Sequence, residues 1–158
     1  MISNKDGNKL IQAVFSMWKA SRRSTNPRRI VTVNTDIGFL AMDGVTAIRI
    51  PDGFEQPFKA GMPSPFIVKQ LYNYFTNTEI AQTASREVSI KPLPLYGRLA
   101  MEFTFGDNGR LYADLTKYKA VPEGNRYDVI SNKLLRVYVE GEKLPVAVLA
   151  GLRVNDNG

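Results

Sequence analysis

Three glycine-containing turn signals between short apolar runs constrain this fold more than any other feature of the sequence. They are Asp43-Gly44 and the segments 106–109 and 141–143. Each separates two runs rich in apolar and β-branched residues: 39–42 and 45–50, 99–105 and 110–116, and 134–140 and 146–154. Turns of the Asp-Gly type join antiparallel neighbours because both central positions tolerate a positive φ. The sequence therefore predicts a sheet built from β-hairpins.

Two amphipathic helices are predicted beside these strands. In residues 8–21 the apolar side chains of Leu10, Val14, Met17 and Trp18 recur at helical spacing, and Asp6 or Asn8 would cap the start. We expect Trp18 to anchor this helix in the core rather than to stack on a ligand. A second helix is predicted over 65–76, and a continuation through residue 84 stays open.

The remaining β-rich segments are less regular. Residues 30–34 are apolar and β-branched, whereas 88–90 stops at Pro92-Leu93-Pro94 and is typical of a sheet edge or a connector. The last strand, PVAVLAGLRV, is apolar on both faces, so we expect it to be covered on both sides.

The order of these elements predicts an α+β fold, with two helices packed on a largely antiparallel β-sheet built from hairpins. We expect a single domain over residues 1–158. It would comprise a basic helix and exit loop (8–29), a hairpin region (30–50), a loop and second helix (51–84) and a β-rich part (88–154).

Two absences restrict the chemistry. The 158 residues include no histidine and no cysteine, which excludes a thiolate nucleophile, a Ser-His-Asp triad and a Cys/His zinc site. Asp36, Asp43 and Asp52 each lie one or two residues before a glycine, as expected of turn residues. Glu102 and Asp114 are predicted on the wet faces of neighbouring strands. We therefore expect a protein that is not an enzyme and needs no metal and no cofactor, although an enzyme using carboxylates and tyrosines stays open.

The position of the charge is more informative than its total. The formal net charge is +6, and residues 1–29 hold seven basic residues against Asp6 alone, so the other 129 residues are neutral overall. The surplus is concentrated around the end of the first helix, in the run KASRRSTNPRR.

Lysine and arginine side chains neutralise phosphates and release counterions, and hydroxyl and amide groups between them, such as that of Ser21, donate to phosphate oxygens. The run thus predicts a surface for the phosphate backbone of DNA, without sequence preference. Its candidate residues are Lys19, Arg22, Arg23, Arg28 and Arg29. Two alternatives stay open: cations that complement a helix C-terminus and aid solubility, and a surface for an acidic protein partner.

No apolar run approaches the length needed to span a bilayer, and the first ten residues lack the apolar stretch of a signal peptide. We expect a cytoplasmic protein without a membrane role.

Three segments resemble one domain of a bacterial-type DNA polymerase processivity clamp, or sliding clamp. They are the basic helix KLIQAVFSMWKASRR, the hairpin FLAMDGVTAIRIP, and the closing pair LLRVYVEG and PVAVLAGLRV. The resemblance implies a role in DNA replication by topological tethering, with helices that face DNA and sheets outside. It adds Lys69 of the second helix to the DNA-facing residues. It also implies a homo-oligomer, because one domain cannot form a ring.

These observations favour a non-enzymatic DNA-associated protein that contacts the phosphate backbone through its basic N-terminal helix. The alternative is a small interaction or inhibitor protein, of viral or mobile-element type, that binds an acidic partner.

Overall fold

The computed structural model describes residues 1–23, 30–77 and 81–152, with Arg23 and Leu95 described in their backbone alone. These residues form three α-helices, α1 (Asn4–Arg23), α2 (Pro65–Thr76) and α3 (Leu115–Ala120), and one 3-10 turn, Pro94–Tyr96. They also form nine strands: β1 (Val31–Thr35), β2 (Gly38–Met42), β3 (Thr46–Ile50), β4 (Gln82–Leu93), β5 (Arg98–Phe105), β6 (Gly109–Asp114), β7 (Arg126–Ile130), β8 (Leu134–Tyr138) and β9 (Ala147–Ala150).

All nine strands belong to one sheet, in the order β1-β2-β3-β9-β8-β7-β4-β5-β6, and every neighbouring pair is antiparallel. Leu152, just beyond β9, donates its N–H to the Tyr112 carbonyl oxygen in β6 at 2.7 Å. The second part of the sheet therefore curls until its far strand meets the residues that follow β9. The predicted α+β class, with hairpins and an antiparallel sheet, is confirmed.

The hairpin predicted at Asp43-Gly44 joins β2 to β3, although the two residues act differently. Gly44 has a φ of 98°, whereas Asp43 does not adopt a positive φ. Instead, its Oδ1 accepts the backbone N–H groups of Val45 and Thr46 at 3.0 and 2.9 Å. Aspartate therefore closes this turn with its side chain, as in an Asx-turn.

Several predictions for the second half are wrong in detail. A helix does not continue through residue 84, because β4 begins at Gln82; residues 78–80 lie outside the described part. β7 was not predicted, since its turn to β8 uses Ser131 and Asn132, both with positive φ (55° and 56°), instead of glycine. A third helix follows β6 because Asp114 accepts the N–H groups of Thr116 and Lys117 and caps it.

The first helix also begins earlier than residue 8. The Ser3 hydroxyl accepts the N–H of Asp6 at 3.1 Å, so Ser3 caps α1, and neither Asp6 nor Asn8 does. The second helix matches its predicted bounds. Ser64 caps it by accepting the N–H of Ile67, and Pro65 takes the first helical position.

The two longer helices lie on opposite faces of the sheet. Side chains alternate between faces along a strand, and in β2 Phe39 and Ala41 join the core that contains α1, whereas Leu40 joins the cluster that contains α2. In β9, Leu149 faces the first cluster and Val148 the second. The prediction that this strand is covered on both sides is confirmed for its described residues.

Two buried arginines connect distant parts of the fold. Arg49 in β3 is 4% exposed and donates to the Ile37 and Pro145 carbonyl oxygens and to Glu142. Arg136 in β8 is 1% exposed and pairs with Asp128 through two hydrogen bonds of 2.6 and 2.8 Å.

Arg136 also stabilises the end of α2, since its Nη1 donates to the carbonyl oxygens of Tyr74 and Asn77. The Tyr138 hydroxyl donates to Asp128 at 2.7 Å. Burial, followed by this hydrogen bond to a carboxylate, raises the pKa of Tyr138 to about 12. This tyrosine is therefore a neutral donor in the buried network.

Candidate nucleic-acid interface on the first helix

One side of α1 packs on the sheet and the other carries cations. Leu10, Val14 and Met17 are buried in the core. On the opposite side, polar and basic side chains recur every three or four residues and are exposed, in the order Lys5, Lys9, Gln12, Ser16, Lys19 and Arg22. We call the exposed side chains of Lys5, Lys9, Lys19 and Arg22 the α1 basic face. By helix geometry it extends about 25 Å along the axis.

Trp18 supports the C-terminal end of this face. Its ring is half-buried against Phe58, with ring centroids 6.0 Å apart, and Phe58 also contacts Phe15 and Phe39. The Arg22 guanidinium lies 4.7 Å from the Trp18 ring centroid. The tryptophan is thus half-buried beside the core rather than inside it as predicted, and it holds Arg22 by a cation–π contact.

The predicted site residues are only partly brought together. Lys19 and Arg22 lie three residues apart on the α1 basic face, and Arg23 is the last residue of α1. Arg28 and Arg29 lie outside the described residues, as do Ser24, Thr25 and Asn26. Lys69 is exposed on α2, across the sheet, so the structure does not bring it together with Lys19 and Arg22.

Ser21 was expected to donate to phosphate, but its hydroxyl donates to the Trp18 carbonyl oxygen at 2.7 Å. The hydroxyl hydrogen is therefore used within the helix. Lys5 and Lys9, by contrast, belong to the face although the sequence analysis did not select them. Their i, i+4 spacing and their alignment with Lys19 were the signals that could have found them.

Several cations of the sheet form ion pairs, unlike those of the α1 basic face. The described part of the structure contains five ion pairs, all between residues of the sheet and its connections: Arg49–Glu142, Arg86–Glu123, Lys91–Glu102, Arg98–Asp114 and Arg136–Asp128. The α1 basic face forms no ion pair with any described residue. Its charge is therefore available to an anionic ligand.

Glu102 and Asp114 are not exposed, contrary to expectation; they are 5% and 8% exposed. The hydrogen bond from Lys91, whose Nζ lies 2.7 Å from Oε2, holds the pKa of Glu102 below its ordinary value against the effect of burial. Burial would raise the pKa of Asp114, but Arg98 and two backbone N–H groups outweigh it and lower that pKa. Both carboxylates are therefore ionised partners of cations, and they support the sheet.

The described residues include neither a metal-binding cluster nor a membrane-spanning helix. Among residues 1–23, 30–77 and 81–152, no group of three or more acidic side chains is arranged to hold a metal ion. Within the same ranges, no helix combines the length and the apolar character needed to cross a bilayer. No family model, no curated protein and no solved structure matches this sequence.

Proposed function

We propose that this protein is a non-enzymatic DNA-associated protein that contacts the phosphate backbone through the α1 basic face. The observation that carries the proposal is the contrast in pairing. Five cations of the sheet have carboxylate partners at 2.6–2.8 Å, whereas the four cations of the α1 basic face are exposed on one side of a helix and form no ion pair with a described residue. Unpaired lysines and arginines in a row suit a polyanion because each can neutralise one phosphate.

The length and rigidity of the face support the same ligand. Lys9 and Lys19 are separated by about 15 Å along the axis, and the major groove of duplex DNA is about 12 Å wide. A helix laid across the groove would reach the phosphates on both sides. Packing of Leu10, Val14 and Met17 fixes the helix, so these contacts require no ordering of the backbone.

The test is duplex binding against salt concentration. Four phosphate contacts should give a slope of about −3.6 for log K against log salt. Replacing Lys5, Lys9, Lys19 and Arg22 by glutamine should reduce the slope by about 3 to 4 and weaken binding at least about tenfold at moderate salt. Fluorescence anisotropy of a labelled duplex measures both quantities.

The matched control removes the same charge elsewhere. Arg110, Lys119, Lys133 and Lys143 are all exposed, and replacing these four by glutamine should leave most of the affinity intact. Equal losses in the two variants would contradict a surface on α1. Absence of any salt-dependent DNA binding in the wild-type protein would reject the proposal and leave the acidic protein partner as the function to pursue.

The resemblance to a sliding clamp extends this proposal to topological tethering by a closed oligomer. Retention on circular DNA and loss from linear DNA would support it, whereas equal retention on both would leave surface contact alone. Substitution of Lys69 tests the clamp-like arrangement separately. The clamp-like arrangement has both helices facing DNA, so Lys69→Gln should then weaken binding as much as Lys19→Gln.

A further inference from the structure

The outer half of the β4–β5 hairpin has a strand on one side only. β7 pairs with β4 over Gln82–Ala84 and then diverges, whereas β5 follows β4 as far as Leu93. Along residues 85–93, no strand of the described structure lies on the other side of β4. We call this segment the β4 open edge. Unpaired strand edges are templates for the addition of another strand.

Part of the backbone of this edge is also not hydrogen-bonded to β5. Arg86 lies opposite Phe103 and Ile90 opposite Met101, so three β4 residues, 87–89, face Glu102 alone. Such a bulge leaves backbone N–H and C=O groups without a ladder partner. They need other partners, which water or a further strand can supply.

Apolar side chains accompany these backbone groups. Val88 is 96% exposed and Ile90 is 44% exposed, while Leu99, opposite Pro92 on β5, is 51% exposed. Ile90 is paired with the buried Met101, so it lies on the core-facing side of the sheet although it is itself exposed. The open edge thus combines free backbone with uncovered apolar surface.

Three cations around the edge are already neutralised within the chain, whereas Glu87 forms no ion pair with a described residue. Lys91 pairs with Glu102, Arg98 with Asp114, and Arg86 with Glu123. A strongly charged partner would gain little here. Two copies of the same edge, in contrast, can approach each other without repulsion.

We propose that the β4 open edge is the surface by which two copies of this chain associate, through antiparallel pairing about a two-fold axis at Ser89. Residue 89 is the centre of the segment 85–93. Pairing about it places Val88 opposite Ile90 of the second copy and Glu87 opposite Lys91 of the second copy. Both contacts occur twice because a two-fold interface is self-complementary.

Side-chain directions agree with this register. The Glu87 carboxylate accepts a hydrogen bond from the Thr104 hydroxyl, and Lys91 pairs with Glu102. Glu87 and Lys91 therefore lie on the face that carries Thr104 and Glu102. Ile90 is opposite the core residue Met101 and so lies on the other face, and we expect Val88, two residues earlier, on that face as well. Each cross-copy pair therefore joins side chains of one face, with opposite charges in one case and apolar groups in the other, as stable cross-strand pairs require.

Analytical ultracentrifugation of the full chain, without nucleic acid, tests the proposal up to about 200 μM, the range of a small transient interface. The wild-type protein should approach twice its 17.7 kDa mass. The double variant Val88→Lys, Ile90→Lys should remain monomeric. The control Met62→Lys, Phe66→Lys, at side chains 100% and 77% exposed on another surface, should associate like the wild-type protein. A monomeric wild-type protein, or a dimer that survives Val88→Lys, Ile90→Lys, would overturn the proposal.

A charge exchange tests the register itself. Glu87→Lys places lysine opposite Lys91, and Lys91→Glu places glutamate opposite Glu87, so each variant alone should lose association. A mixture of the two should recover it, because both cross-copy pairs are then of opposite charge. Circular dichroism first verifies that each variant is folded. Dimers of either variant alone, or a mixture that stays monomeric, would contradict pairing about Ser89.

Discussion

Basic side chains on the α1 basic face and those around β4–β6 differ in whether they form ion pairs. On the sheet, Lys91 and Arg98 contact carboxylates at 2.7 and 2.8 Å, and those carboxylates are buried. On α1, Lys5, Lys9 and Lys19 have no described acidic partner. The difference shows that the net charge of +6 is not spread over this molecule. Several cations of the sheet are neutralised by carboxylates, whereas those of the α1 basic face are exposed and form no ion pair with a described residue.

This comparison separates stability from binding. Removing a paired cation leaves a buried carboxylate, which is destabilising. Removing a solvated cation changes little in the fold but would weaken contact with a polyanion. Substitutions of paired and of solvated cations should therefore differ in their effects on stability and on DNA binding.

The largest effect is expected at Arg136. Arg136→Ala leaves the Asp128 carboxylate and the two carbonyl oxygens at the end of α2 without their donor. We expect a loss of about 3–5 kcal/mol in the free energy of unfolding, measured by urea denaturation. Arg22→Ala removes an arginine of the α1 basic face and is the control, with an expected loss of less than about 1 kcal/mol. Similar losses of stability in the two variants would contradict the distinction between paired cations that support the fold and solvated cations that do not.

Arg136 also illustrates what could not be predicted from the sequence. The apolar run in residues 134–140 correctly predicts a strand, but it does not indicate that Arg136 is buried. Its burial depends on carbonyl oxygens of α2, 59 and 62 positions away. Arg49 is similar, because all its hydrogen-bond partners except Ile37 lie more than 90 positions along the chain. A buried arginine is defined by distant partners, which local patterns do not contain.

The sequence correctly predicted the elements that are held by contacts between residues close together in the chain. The Asp43 turn is closed by contacts to residues two and three positions later, and α2 begins at its own serine cap. β7 was missed because Ser131 and Asn132 adopt positive φ without glycine. The candidate site was found in part. Charge counting selected Lys19 and Arg22, whereas Lys5 and Lys9 required the helix face to be placed.

A smaller effect is expected at the start of α1. Ser3→Ala removes the acceptor for the Asp6 N–H, and the loss of such a cap is worth about 1 kcal/mol. Lys5→Gln, two residues later, should change the free energy of unfolding by less than about 0.5 kcal/mol. Thermal unfolding of both variants checks whether α1 is held by its cap and its packing, independently of its charge. A greater loss in Lys5→Gln than in Ser3→Ala would show that Lys5 has a structural role.

The paired region should also be sensitive to acid. The pKa of Glu102 is lowered from an ordinary value near 4.5, first by the hydrogen bond from Lys91. Its contribution is therefore complete above pH 4.5 and is lost as the pH falls through the lowered value. Glu102→Gln should be less stable than the wild-type protein at neutral pH, and the difference should shrink in acid, as measured by denaturation at several pH values. A difference that stays constant with pH would show that Lys91 does not stabilise the ionised carboxylate.

The smallest expected effects concern Lys9 and Lys91, whose replacement by glutamine should change the stability of the protein in opposite directions. Lys9 lies four residues after Lys5 on the same helix face, and like charges at this spacing repel by a few tenths of a kcal/mol. Lys9→Gln should therefore stabilise the protein slightly, while reducing the magnitude of the salt slope for DNA by about 1. Lys91→Gln should do the reverse: it should destabilise the protein by leaving the buried Glu102 unpaired, and it should leave the slope unchanged. Chemical denaturation and salt-dependent duplex binding of the same two variants measure both changes. Changes of the same sign in stability would show that pairing does not distinguish the cations of the helix from those of the sheet.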